Sequence, residues 1–316
     1  MERVKRQHYV PQFYLRKFTD NNGGLYVFDK WTGRSFKTTT ENVANERYFY
    51  DFPQDVVQDE KMIQIVENTL SRVEAQFSEA VETILAELSI RRKHRRPDQR
   101  KILYKRDKEA LAFFITLQIF RTREFRETWI EIAEKTAQAI LEISKASNKL
   151  AAFGGDCRIE YNRDLAPLEQ AGFMFNPRIL DRFVAVFCKH IWLLGANRSE
   201  RLLYSSDNPV VKRDHVRHPF FSYSGYGSPG IEIAFPLSPT VVLIMYERTY
   251  FKAYECLDGK VIPLCAENVD YYNSLQVGQS YRQIYSCNQD FTLVKEICKR
   301  EPEVCSPDRQ RIHLGR

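Results

Sequence analysis

The sequence predicts a single domain of the α+β class, in which a long helical hairpin lies between an N-terminal β-hairpin and a C-terminal antiparallel β region. Apolar residues recur at helical spacing through much of residues 59–200. Residues 201–300 instead contain short β-branched segments interrupted by proline, a composition typical of strands. Because helices precede strands rather than alternate with them, residues 1–316 are expected to form an α+β domain.

The first predicted elements are a β-hairpin and a long helix. Residues 24–39 alternate apolar and polar positions on either side of a turn at Thr32 and Gly33, which predicts two antiparallel strands. Residues 59–88 carry apolar side chains three and four positions apart, the spacing of one buried helix face. The apolar positions are Ile63, Val66, Leu70, Val73, Phe77, Val81, Ile84 and Leu88.

Three further helices are predicted downstream. Residues 107–145 are apolar nearly all round in their first half and amphipathic in their second, so a helix there is expected to pack antiparallel to the first one. Residues 176–195 predict another helix, with Asn176 as its cap and Pro177 at its first position. Residues 266–281 predict a short helix among the strands.

Composition excludes several classes of protein. With 43% hydrophobic residues, 21 Phe and 17 Tyr, the chain is expected to fold around a large core. No stretch approaches 18 apolar residues, and charges and Pro11 interrupt the beginning, so we expect a cytoplasmic protein without membrane association. Seven cysteines form no CxxC pair, which predicts reduced thiols rather than a disulfide framework or a zinc site. Common cofactor motifs such as a glycine-rich phosphate loop are missing from the sequence.

The formal net charge of +6 arises from one segment. Between Arg91 and Arg106 there are nine Lys and Arg against the single acid Asp98, which gives +8 and leaves 6 − 8 = −2 for the remainder. Clustered cations of this kind release counterions from a phosphate backbone, so the segment is a candidate contact for nucleic acid. The alternative is a solvated connecting loop, which is the usual role of a charge run.

His8 and Gln12 are the first candidate site residues. They lie four positions apart in a segment rich in aromatic residues, and Pro11 forces Val10 to be extended. A rigid polar pair of this kind suits a preorganised site. The alternative is a buried histidine that is hydrogen-bonded only to hold the N-terminal segment.

Further candidates lie on the two long helices. Glu67 and Glu74 are seven positions apart on the edge of the apolar face of the first helix, so each carboxylate needs a partner. Gln118 and Arg121 lie at i and i+3 on the apolar second helix, and a planar guanidinium is well suited to phosphate or carboxylate. A structural ion pair between Arg121 and Glu74 explains the same residues without a ligand.

Asp207 and Asn208 follow an apolar segment and precede Pro209, a context typical of a strand end or a turn. Residues at strand ends often carry function, and here Asp207 is a candidate metal ligand or base while Asn208 is a candidate to orient a ligand. Asn42, Asn45 and Glu46 form a weaker set that is better interpreted as caps and turn residues.

Several segments together resemble one known family. They are HYVPQFYLRKF, ENVANERYFY, LSRVE, LQIFRTREF and SSDNPVV followed by IAFPLSP, and they extend in order from His8 to about Tyr285. They resemble domain of unknown function family 4238, whose members begin with a His, Val, Pro, Gln, Phe, Leu pattern and carry a later Ser-Asp-Asn-Pro. The resemblance identifies positions rather than a reaction. Family members often have Arg-Thr-Pro where this chain has Arg121, Thr122 and Arg123, so the second long helix is expected to continue through this point.

Two functions fit these residues. The first is a phosphodiesterase or nuclease acting on nucleic acid, with His8 as general acid or base, Glu74 or Asp207 holding a divalent metal ion or a water, and Arg121 clamping phosphate. In this hypothesis Gln12, Gln118 and Asn208 also bind substrate. The second is a non-catalytic sensor or binding module in which the same residues form a polar network or receive a small ligand. Both hypotheses predict that these side chains gather in one region; the metal and the oligomeric state are left open.

Overall fold

The computed structural model describes residues 4–93, 101–146, 160–216 and 223–312. The α-helices in these ranges are α1 (Gln12–Leu15), α2 (Glu60–Ile63), α3 (Ile65–Lys93), α4 (Lys105–Arg121), α5 (Arg123–Ala146), α6 (Ala166–Phe175), α7 (Pro177–Cys188), α8 (Ala266–Gln279) and α9 (Thr292–Arg300). The strands are β1 (Arg6–His8), β2 (Leu25–Asp29), β3 (Arg34–Thr38), β4 (Asn45–Arg47), β5 (Ile191–Asn197), β6 (Ser205–Ser206), β7 (Val211–Asp214), β8 (Ile231–Ser238), β9 (Val241–Tyr246), β10 (Val261–Leu264) and β11 (Gln283–Ser286). The chain is an α+β protein, as predicted.

The predicted helical hairpin is formed by α3 and α4. Glu74 of α3 pairs with Arg121 of α4, and Phe77 packs against Phe114 with ring centroids 4.5 Å apart. Moving forward along α3 therefore means moving backward along α4, so the two helices are antiparallel. Most of the predicted apolar stripe of α3 is buried, which confirms the helical period seen in the sequence.

The predicted helix over residues 107–145 is broken, contrary to expectation. Thr122 has an extended backbone (φ −74°, ψ 157°) and separates α4 from α5. Its Oγ1 accepts a hydrogen bond from the N–H of Phe125 at 3.1 Å, so Thr122 caps the start of α5. The chain thus breaks the helix without the proline that family members often carry. A side chain from elsewhere in the chain satisfies backbone carbonyls at the break, because Gln170 donates to the carbonyls of Phe120 and Thr122.

A second boundary also differs from the prediction. The helix predicted over residues 176–195 ends at Cys188, and the apolar run from Ile191 onward forms β5. Asn176 caps α7 as expected, since its Oδ1 accepts from the N–H of Arg178 at 3.0 Å. The β-rich part therefore begins ten positions before residue 201, because a run buried on both faces resembles a helix and a strand equally in sequence.

The larger sheet has five strands in the order β10-β5-β9-β8-β7. Its pairs are antiparallel except for β10 and β5, which are parallel. Alternate residues of β5 enter different apolar clusters: Trp192 and Leu194 face the cluster that contains α4, whereas Ile191 and Leu193 face the cluster that contains α8. The sheet is thus covered by helices on both faces.

The predicted N-terminal hairpin is present but belongs to a larger sheet. β2 and β3 are joined through a turn in which Gly33 has φ +67°, a conformation that favours glycine. The strand order β3-β2-β11-β6 brings β11, some 250 residues later in the chain, against β2. This pairing carries the residues around Asp207 to the N-terminal part of the fold, and no local sequence pattern indicates it.

The cysteine prediction is wrong for one pair. Cys298 on α9 and Cys305 form a disulfide with a Cα–Cα distance of 6.0 Å. The two cysteines are seven positions apart, so no CxxC pattern indicates them in the sequence. Cys188, Cys256, Cys265 and Cys287 are free, and Cys157 lies outside the described residues. Within the described ranges, no helix has the length and apolar character needed to cross a membrane.

Candidate functional site

Arg121 is the centre of the polar cluster that the sequence predicted. It is the last residue of α4 and only 2% exposed. One terminal nitrogen lies 2.8 Å from Oε1 of Glu74, and the other donates to the carbonyl of His8 at 2.6 Å. Burial alone would lower the pKa of Arg121, but Glu74 and Tyr50 raise it above its usual value, so the guanidinium stays charged. The prediction that Arg121 meets a carboxylate of the first helix is confirmed.

The segment from His8 to Pro11 is held against α4 by its backbone. Gln118 donates from Nε2 to the carbonyl of Tyr9 at 3.1 Å, one turn before Arg121 reaches the carbonyl of His8. The imidazole of His8 is half-buried, with Nε2 3.5 Å from the side-chain nitrogen of Asn45. Burial is the main cause that lowers the pKa of His8, so this imidazole is neutral at pH 7. The side chains of Gln118 and Arg121 therefore bind main-chain carbonyls of this segment.

Tyr50 and Gln7 complete the cluster, and neither was singled out from the sequence. The hydroxyl of Tyr50 donates to the carbonyl of Arg121 at 2.7 Å, which satisfies a group freed by the helix break. Gln7 accepts from the N–H of Tyr50 at 2.6 Å and donates to Asp51 at 2.5 Å. Both residues are fully buried, and their only sequence signal is a polar or phenolic residue within a strongly aromatic run.

Around Arg121, three buried polar atoms have no hydrogen-bond partner among the described residues. They are Nε of Arg121 itself, Oε1 of Gln118 and Oε2 of Glu67. Burial raises the pKa of Glu67 to about 7; the charge of Arg121 opposes this shift and that of Glu74 adds to it. Unpaired buried groups beside a titratable carboxyl are more typical of functional sites than of a fully satisfied core.

A groove of about 350 Å³ lies between α1 and α3, next to this cluster. Its lining residues are Gln12, Phe13, Arg16, Glu74, Ala75 and Ser78. Glu74 belongs to both places, since Oε1 pairs with the buried Arg121 while the side chain keeps 27% of its surface exposed. The groove thus meets the buried cluster at a single carboxylate.

Asp207 and Asn208 make their hydrogen bonds with a different set of residues from the Arg121 cluster. The carboxylate of Asp207 accepts three backbone N–H groups, from Tyr281, Arg282 and Gln283, each at 2.7 Å. Asn208 donates to the carbonyl of Gln279 at 2.8 Å. Neither side chain is bonded to His8, Glu74 or Arg121 within the part of the chain that is described. The turn therefore holds the loop after α8, and its partners lie too far along the chain for local sequence to indicate.

Lys30 is a buried cation near Asp207, and no sequence pattern indicated this role. It is 3% exposed, and its ammonium donates to the carbonyls of Val277 and Ser280 at 2.9 Å each. Burial lowers its pKa to about 7, with Asp207 acting in the opposite direction. Burial likewise raises the pKa of Asp207 to about 6, while its backbone donors and Lys30 act to lower it. The end of α8 is thus held from both sides, its carbonyls by Lys30 and the next N–H groups by Asp207.

The remaining candidates are placed as follows. Glu46 pairs with Arg123 at 3.0 Å and Asn42 accepts from Arg6, so these two side chains make ion-pair and hydrogen-bond contacts rather than the caps expected of them. Asn45 donates to the carbonyls of Glu41 and Val43, which is the local turn contact expected of it. The basic segment falls partly outside the described residues, which resume at Lys101. Among the described part of the chain, no group of three His, Cys, Asp or Glu side chains has a geometry that could hold a metal ion.

The chain matches the family model described as protein of unknown function (DUF4238) over residues 6–290. The chain belongs to the DUF4238 family. The resemblance seen in the sequence is therefore confirmed. No curated protein and no solved structure matches the chain. The DUF4238 match includes both the Arg121 cluster and Asp207, and it ends before α9.

Proposed function

We propose that the chain is a non-catalytic binding module whose ligand site is the groove between α1 and α3. The observation that carries the proposal is the position of Glu74, which is part of the groove surface and also the counterion of the buried Arg121. A ligand that hydrogen-bonds to Glu74 changes the charge that Arg121 experiences. Arg121 in turn donates a hydrogen bond to the carbonyl of His8, and it is the last residue of α4 before the break that separates α4 from α5.

The lining residues favour a small polar ligand that carries both a donor and an anionic group. Glu74 offers a carboxylate to an ammonium, whereas Arg16 is exposed and offers a guanidinium to a carboxylate or phosphate. Gln12 and Ser78 supply neutral hydrogen-bonding groups, and Phe13 supplies an apolar surface. The volume falls at the lower end of the range usual for small-molecule sites, about 300–1,000 Å³. A zwitterionic amine such as a free amino acid satisfies these demands.

The experiment is a thermal-shift screen with the twenty free L-amino acids as probes. We expect at least one probe to raise the Tm of the wild-type chain, because a ligand that binds only the folded state stabilises it. The variant Ala75→Trp fills the groove and should abolish the shift, as should Arg16→Ala, which removes the anion partner. Matched controls are Glu79→Trp and Arg72→Ala, both at exposed positions of α3 that do not line the groove.

Two results would overturn the binding proposal. One is a screen in which no amino acid raises the Tm. The other is a Tm rise that survives both Ala75→Trp and Arg16→Ala, since the ligand then binds elsewhere.

Phosphodiester hydrolysis remains a second proposal, and one observation favours it. Glu67, with a pKa of about 7, and the neutral imidazole of His8 both lie near Arg121, a combination suited to proton transfer beside a phosphate clamp. Against it, both terminal nitrogens of Arg121 are already engaged, and Asp207 is engaged by backbone N–H groups. The basic segment from Arg91 to Arg106 would serve this second function as a contact for nucleic acid.

The two proposals differ in turnover. Single-stranded DNA and bis-p-nitrophenyl phosphate, each with and without Mg²⁺ or Mn²⁺, serve as probes of hydrolysis. The binding module predicts no cleavage above that of a heat-denatured sample. Cleavage that is lost in Glu67→Gln but retained in the exposed control Glu79→Gln would support the hydrolase and overturn the binding module.

A further inference from the structure

The segment Arg309–Ile312 lies against α5 and is held there by charged side chains. Both guanidinium groups of the segment meet one carboxylate: Arg309 lies 2.5 Å from Oε1 of Glu124 and Arg311 lies 3.2 Å from Oε2. All three side chains are only 10–13% exposed, so these contacts are largely shielded from solvent. Charge-assisted hydrogen bonds in such surroundings are among the stronger polar contacts in proteins.

Two turns further along α5, Glu131 binds the main chain of the same segment. Its carboxylate accepts the N–H groups of Arg311 at 3.0 Å and of Ile312 at 3.1 Å. Lys135 lies 2.7 Å from Glu131 and also donates to the carbonyl of Ile312. Burial alone would raise the pKa of Glu131, but Lys135 and the two N–H groups lower it, so the acceptor stays ionised. Helix α5 therefore recognises both the arginines and the backbone of the segment.

The segment also reaches the loop that Asp207 holds. Arg309 donates to the carbonyl of Gly278 at 2.6 Å, and the guanidinium of Arg311 lies 5.6 Å from the ring centroid of Tyr281. The segment thus bridges α5 and the end of α8. It lies outside residues 6–290, the range that the family model matches.

We propose that the face of α5 formed by Glu124, Glu131 and Lys135 is a docking surface for an arginine-containing segment of a partner protein, and that Arg309–Ile312 occupies it in cis. The recognition uses two arginines at i and i+2 and two backbone N–H groups, and any irregular segment with that pattern offers the same groups. The cis segment acts as a competitor whose effective concentration is high because it is tethered. A partner therefore binds only where it displaces this segment.

The test uses the full chain and a fluorescein-labelled peptide with the sequence Pro-Asp-Arg-Gln-Arg-Ile, that of residues 307–312. Removing the two anchors with Arg309→Ala/Arg311→Ala should free the surface and increase peptide affinity at least tenfold in fluorescence polarisation. The control Lys299→Ala/Arg300→Ala removes two exposed cations from α9 and should behave as wild type. Adding Glu131→Ala to the freed chain should weaken binding at least tenfold, whereas adding the exposed control Glu142→Ala should not.

A second measurement needs no variant. Saturating peptide added to wild-type protein should speed hydrogen exchange at the N–H groups of Arg311 and Ile312, because displacement exposes them to water. A peptide in which both arginines are alanine should have no effect. The proposal is overturned if the freed chain and the wild type bind the peptide equally, if Glu131→Ala leaves affinity unchanged, or if bound peptide leaves exchange at these two groups unaltered.

Discussion

Replacing Arg121 with alanine should destabilise the fold strongly. The substitution removes the hydrogen bond to the carbonyl of His8 and the ion pair with Glu74, and it leaves a void at the end of α4. The carbonyl of His8 then lies in a buried region without its donor, since Arg121 is only 2% exposed. Glu74 is affected less severely, because its side chain is 27% exposed and water can solvate it in part.

The magnitude follows from these two partners. Breaking a fully buried pair costs about 3–5 kcal/mol, mostly because one charge is left without a partner. Exposure of Glu74 moves the expected value to the lower end of this range, and an unsatisfied carbonyl costs about 1–3 kcal/mol by itself. We therefore expect Arg121→Ala to reduce the free energy of unfolding by about 3 kcal/mol. Arg121→Lys should lose roughly half as much, because one ammonium keeps the charge but cannot make two divergent hydrogen bonds.

The assay is urea denaturation followed by far-UV circular dichroism for wild type, both Arg121 variants and the control Arg72→Ala. Arg72 is exposed on α3, so its replacement should change stability by no more than about 0.5 kcal/mol. The argument from desolvation is refuted if Arg121→Ala is as stable as Arg72→Ala. It is also refuted if Arg121→Lys is no more stable than Arg121→Ala, since the retained charge then contributes nothing.

Three further outcomes follow from the same structure. Lys30 has a folded pKa of about 7, below its unfolded value, so between pH 7 and 9 the unfolded state binds more protons and stability should rise with pH by about 2 kcal/mol. Lys30→Met should remove this rise in urea titrations at pH 7 and pH 9, and an unchanged rise would contradict the prediction. The Arg123→Pro variant should keep the helix content of the wild type by circular dichroism, because position 123 is the first residue of α5, where proline is tolerated. The Arg126→Pro variant, with proline inside the helix, should unfold the chain and lose this signal. Gln170→Ala should reduce the free energy of unfolding by about 2 kcal/mol in the same urea assay, because it removes the acceptor of Nε of Arg126 and the side-chain donor to the carbonyls of Phe120 and Thr122. The exposed control Gln76→Ala should be neutral, and equal stability of the two variants would show that these groups find other partners.

Local periodicity was enough to predict α3 and the Arg121 pair. The stripe of α3 is read from spacing alone, and an arginine surrounded by Phe, Ile and Leu must meet a carboxylate because it cannot be buried unpaired. The break at Thr122 was not predictable in this way. A threonine within a helical pattern ends the helix only if other groups take up the freed carbonyls, and those groups are Tyr50 and Gln170, which approach from distant parts of the chain.

The role of Asp207 was missed for a related reason. A Ser-Asp-Asn-Pro segment indicates a turn, but the three N–H groups that Asp207 accepts belong to residues 281–283, and Lys30 comes from the opposite end of the sequence. Their meeting depends on β11 pairing with β2, a contact between segments about 250 residues apart. Pairings of this range are fixed by the packed fold rather than by any local pattern.

Tyr9 connects the two polar clusters. Its carbonyl accepts from Gln118 in the Arg121 cluster, while its buried ring extends toward the charge of Asp207, which, after burial, helps to raise the pKa of the Tyr9 hydroxyl. The backbone carbonyls of His8 and Tyr9 both accept from the first cluster, whereas the ring of Tyr9 lies toward the second. The N-terminal segment thus contacts both clusters. Under the proposed binding function, movement of Arg121 would therefore shift the backbone of His8 and Tyr9. Through the ring of Tyr9, this shift would also displace the loop that Asp207 holds.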